Sequence, residues 1–60
     1  MEFHELLDHD LRRGPATIEE LAEEMDVPVW VVESWRTGEF IPAAPIKEEI
    51  IEYLTQRFNR

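Results

Sequence analysis

Residues 17–42 read TIEELAEEMDVPVWVVESWRTGEFIP, and the fold turns on how this stretch divides. Thr17 followed three residues later by Glu20 is a capping box, in which the hydroxyl accepts a backbone N–H and the carboxylate reaches back. Ile18, Leu21, Ala22 and Met25 then fall on one helical face, while Glu19, Glu20, Glu23 and Glu24 face out with no bases beside them. This predicts a helix over 18–25. Asp26 occupies the turn, because aspartate tolerates the left-handed conformation better than most residues with a Cβ. Pro28 is welcome in a first helical turn and opens a helix over 28–36, with Val32 and Trp35 inward and Val31 at the core edge. The run Val29-Trp30-Val31-Val32 has strand-like composition. It is read as helix because it is short and proline-initiated, follows a capped helix and would have no strand to pair with. Gly38 closes it.

Working outward, Phe3, Leu6, Leu7 and Leu11 form one apolar stripe and predict a first helix over 2–13, stopped by Gly14-Pro15. Glu2 and Glu5 near its start and Arg12 and Arg13 near its end suit the helix dipole. After the loop Glu39–Pro45, a last helix is predicted over 45–58. Its expected buried stripe is Ile46, Ile50, Ile51, Leu54 and Phe58, with Tyr53 at the edge and Arg57 and Arg60 toward its end. The expectation is an all-α, four-helix unit forming one domain over 1–60, with a small core that is marginally stable alone.

Composition narrows the function. Fourteen acids against six lysines and arginines leave a net charge of −8, and Lys47 is the sole lysine. That balance repels a phosphate backbone unless the bases are gathered on one face. It also serves plain solubility. No cysteine is present, which excludes disulfides and thiolate zinc sites. No apolar run approaches the roughly 20 residues that span a bilayer, and the N-terminal MEFHELLDHD is acidic rather than signal-like, so the expected setting is cytoplasmic, without a membrane. An enzyme is not expected: there is no glycine-rich phosphate loop, nucleophile elbow or paired catalytic carboxylate motif. His4 and Asp8 share a helical face but His9 turns away, so the His4–Asp10 segment reads as a solvated acidic surface rather than a metal site. No cofactor is expected.

The spacing of Leu21-Ala22, Met25-Asp26-Val27, Val32, Trp35, Gly38 and Pro42 resembles the helix-turn-helix of the phage repressor and Cro family, over 26 of the 60 residues. The resemblance implies a lambda-repressor-like fold, a prokaryotic or phage setting and a role in transcription regulation. It maps the family's DNA-facing positions onto Ile18, Pro28, Val29, Trp30, Glu33, Ser34 and Thr37, with Arg36 pointing away. Base and phosphate contacts call for hydrogen-bond donors at such places. Here Ser34 and Thr37 are the ordinary candidates, and Glu33 could only accept, from a cytosine amino group.

Two readings follow. In the first, Ile18, Val29, Trp30 and Glu33, extended by Phe40 and Ile41, form a protein-binding patch. An exposed tryptophan among aliphatics and acids is typical of a binding hot spot. The partner would be a basic regulator, such as a DNA-binding repressor bound in the manner of an antirepressor, or a second copy of the chain. In the second, the protein is a sequence-specific DNA-binding repressor acting as a dimer through Pro28, Val29, Trp30, Glu33, Ser34 and Thr37. A purely structural accessory role is a third, blander option. Trp30 decides much of this, because the same indole folded back into the core would remove the patch.

Overall fold

A computed structural model describes residues 2–58 of the chain. Four α-helices follow in order: α1 Phe3–Arg13, α2 Ile18–Met25, α3 Val29–Thr37 and α4 Ala44–Phe58, with no strand among the described residues. The all-α expectation holds, and each helix begins and ends within about one residue of its predicted bounds. The predicted place of Arg60, near the end of the last helix, lies outside the described residues.

The ends of the helices follow the local chemistry. Thr17 Oγ1 accepts the Glu20 N–H at 3.1 Å, and Glu20 Oε1 accepts the Thr17 N–H at 2.9 Å. Both arms of the capping box therefore satisfy backbone donors that the first turn of α2 leaves open. At the other end Asp26 is left-handed, with φ 57° and ψ 47°. The Val27 N–H reaches back to the Ala22 carbonyl and the Asp26 N–H to that of Glu23. This is a Schellman closure, built on aspartate where glycine is usual. Pro28 is extended and sits just before α3 rather than within it, so α3 starts one residue later than expected. Gly38 closes α3 with φ 86°. A Cβ there would also meet the His4 ring at about 3.0 Å, so two constraints select glycine. Gly14 is different: its backbone is extended, and its lack of a side chain lets the Phe58 ring pack on it.

α3 is the helix on which α1 and α2 pack most closely. Leu7, Ala16, Leu21, Ala22, Val32, Trp35, Ile50 and Leu54 make the buried cluster, one or more from every helix plus the α1–α2 connection. Phe3, Leu11, Ile18, Met25, Val27, Val31, Ile46 and Tyr53 pack around it. Ala16, in the connection between α1 and α2, is buried as part of the core.

α4 differs from its predicted stripe. Ile50 and Leu54 are buried and Ile46 is half-buried, but Ile51 and Phe58 are exposed. With 3.6 residues per turn, Ile51 falls roughly 60° beyond Leu54, past the arc that α4 turns to the core. The Phe58 ring instead reaches Gly14 at the rim.

Candidate functional site

The candidate face is the N-terminal half of α3 with the start of α2. Trp30 and Trp35 lie five residues apart on one nine-residue helix, so they point roughly 140° apart. Trp35 is only 8% exposed and belongs to the core; Trp30 is 65% exposed. Val29 beside it is also exposed, as is Pro28. Glu33, one helical turn on from Trp30, is partly exposed. Trp30 is therefore not a core residue, and the surface it shares with Val29 is apolar.

The structure does not gather every residue expected in this patch. Ile18 is half-buried and packs against the core. It lines a shallow groove with Leu11, Thr17 and Glu33 and contributes only the margin of an exposed surface. Phe40 and Ile41 are exposed but lie past the other end of α3, where they border a small groove with Phe3, Trp35 and Lys47. The nine residues of α3 rise roughly 13 Å, so Phe40 and Ile41 form a second patch rather than an extension of the first.

The hydrogen-bonding candidates for DNA are mostly engaged within the chain. Ser34 is 6% exposed, and its hydroxyl donates to the Val31 carbonyl at 2.6 Å. Burial removes it from any outer surface, and its hydroxyl proton is already spent on the preceding turn. Thr37 is exposed; its hydroxyl donates to the Ser34 carbonyl and accepts the Glu39 N–H.

Three of the arginines are engaged as well. Arg36 Nη1 lies 2.8 Å from Asp8 Oδ1 on α1, and Nη2 lies 3.0 Å from Glu33 Oε2. Its hydrogen bond to Glu33 chiefly, and the charges of Glu33 and Asp8 after it, hold the guanidinium pKa above its ordinary value. Arg36 Nε is buried with no hydrogen-bond partner. Arg12 also pairs with Asp8, at 3.1 Å. Arg57 on α4 reaches Glu20 Oε2 at 2.7 Å, so one carboxylate serves both the α2 cap and a bridge to α4. The four α2 acids were expected to stand without bases; Glu20 departs from that expectation because α4 brings Arg57 across. The backbone hydrogen bond from Thr17, then the bond from Arg57, lower the Glu20 pKa below the usual carboxylate value.

Sequence reasoning missed the Asp8–Arg36 and Glu20–Arg57 bridges, which join residues 28 and 37 positions apart. No local spacing signals such pairs. The Asp8–Arg12 pair, at i,i+4, was legible in principle. Around His4, Asp8 and His9, no group of three or more candidate ligands is close enough to hold a metal ion, and the same is true elsewhere among the described residues. No described helix is long and apolar enough to cross a membrane.

No family model, curated protein or solved structure matches the chain. The reading of the site therefore rests on its own chemistry.

Proposed function

We propose that the chain is a small helix-turn-helix transcription-regulatory protein that acts mainly by binding another protein through the outer face of α3. The observation that carries this reading is Trp30: a large indole, mostly exposed, beside Val29 and one turn from Glu33. Such an indole supplies much contact area for little ordering entropy, as hot-spot tryptophans do. The net charge of −8 favours a basic partner and steers its approach. A DNA-binding repressor fits this description. Covering its phosphate-facing surface would make the present protein an antirepressor by competition. The setting is then cytoplasmic, and no catalysis is involved.

The competing reading, a DNA-binding dimer, has less support. Arg12, Arg36 and Arg57 are each tied to carboxylates, and Ser34 is buried. Most protein–DNA contacts go to phosphate, and each needs a free donor, best a cation.

The test is capture from an extract of the producing cell with wild type and Trp30→Ala, both checked for helicity. Selective retention of basic regulatory proteins by wild type, reduced tenfold or more in the variant, is the expected result. Equal retention by both would remove Trp30 from the interface and overturn the proposal.

A further inference from the structure

We propose that the Phe40–Ile41 patch, at the opposite end of α3 from Trp30, is where two copies of this chain meet. One third of the residues are charged, yet Phe40 to Ile46, FIPAAPI, runs seven residues without a charge, the longest such run in the sequence. The fold does not bury its first two side chains: Phe40 is 56% exposed and Ile41 72%. They stand beside a small groove bordered by Phe3 and Trp35, with Glu2 and Lys47 among the residues that line it. The loop is held in place. The Phe40 N–H donates to the Ser34 carbonyl at 3.1 Å, and Pro42 is buried. The patch is thus presented on a fixed backbone, which lowers the ordering cost of association.

Charge selects the occupant. Two copies, each at −8, repel over most of their surfaces and can approach closely only where carboxylates are sparse. Carboxylates crowd other surfaces, such as the groove where Glu20, Glu23 and Glu24 meet Tyr53. The rim of the Phe40–Ile41 patch carries both signs. Lys47 lies 5.8 Å from the Phe3 ring centroid and, among the described residues, has no carboxylate at ion-pair distance. In a twofold contact, whatever one copy presents the other receives, so Lys47 of each copy can meet Glu2 of the other. A chain of 60 residues with a small core also gains stability from such a contact.

The test is molar mass against concentration by sedimentation equilibrium for wild type, Ile41→Glu, Phe40→Ser and Trp30→Ala. Wild type should show a monomer–dimer equilibrium that strengthens when salt rises from ~0.05 to ~0.5 M, because repulsion between the copies is screened. Ile41→Glu and Phe40→Ser, both at exposed positions, should weaken dimerisation on the order of tenfold or more. Trp30→Ala should leave the mass curve unchanged, which separates this surface from the one proposed for the protein partner. A wild-type chain that stays monomeric at millimolar concentration in high salt would overturn the proposal. So would Ile41→Glu and Phe40→Ser variants that associate like wild type, or a Trp30→Ala variant that dissociates as fully as they do.

Discussion

Two tryptophans on one helix have opposite duties. Trp35 is enclosed by the buried cluster, and Trp35→Ala should cost about 3–5 kcal/mol, as truncations of core aromatics do. Against a total stability of about 5–15 kcal/mol for small domains, that loss can unfold the chain. Trp30→Ala should shift stability by about 0.5 kcal/mol or less, in line with surface substitutions. Chemical denaturation of both variants checks the pair, and comparable destabilisation would mean the indoles are not divided as described. The place of Trp35 was legible in the sequence from its spacing with Val32, whereas that of Trp30 stayed open there and is decided by its exposure. Ser34 was not so legible. A serine on a helix can point outward or turn its hydroxyl onto the preceding carbonyl, and only the packing of α3 decides between them.

At the level of elements, the stops and starts carry much of the information. Thr17→Ala removes the hydroxyl that accepts the Glu20 N–H and should cost about 1 kcal/mol. Gly38→Ala forces a Cβ into the left-handed region and toward the His4 ring, and should cost about 1–2 kcal/mol or more. Urea midpoints at constant m-value measure both, and a neutral Gly38→Ala would mean the α3 terminus differs from this description. Capping chemistry and the 3.6-residue period placed all four helices correctly from sequence, since Thr17, Asp26, Pro28 and Gly38 act locally. The edge of α4 was less accessible. A helix carrying Ile46, Ile50, Ile51, Leu54 and Phe58 has more apolar surface than its neighbours cover, and sequence cannot say which edge is left out. For the same reason the separation of Phe40 and Ile41 from Trp30 needed coordinates.

For the whole molecule, charge is the governing quantity. The sequence gives the excess of acid directly, but not that Asp8, Glu20 and Glu33 take up arginines from distant or neighbouring turns. Glu20 also gives a pH signature. Its pKa is lower in the folded chain than unfolded, so the unfolded state takes up its proton first as pH falls. Its contribution is present above the ordinary glutamate value and is lost as pH drops through the lower folded value. The stability difference between wild type and Glu20→Gln should therefore shrink on acidification from about pH 6 to below about pH 3. A difference that stays constant over that range would remove Glu20 from the linkage.

The pairing of arginines also bears on what the exposed α3 face can bind. A surface made of Val29, Trp30 and Glu33, on a chain whose described arginines largely serve its own carboxylates, is poorly matched to a polyanion. The most direct measurement is binding of the purified chain to labelled duplex DNA, with mixed-sequence and selected sites, across a salt series starting near ~0.02 M. No retention is expected even at the lowest salt. Tight, sequence-selective binding that weakens steeply with salt, as displacement of phosphate counterions requires, would contradict it.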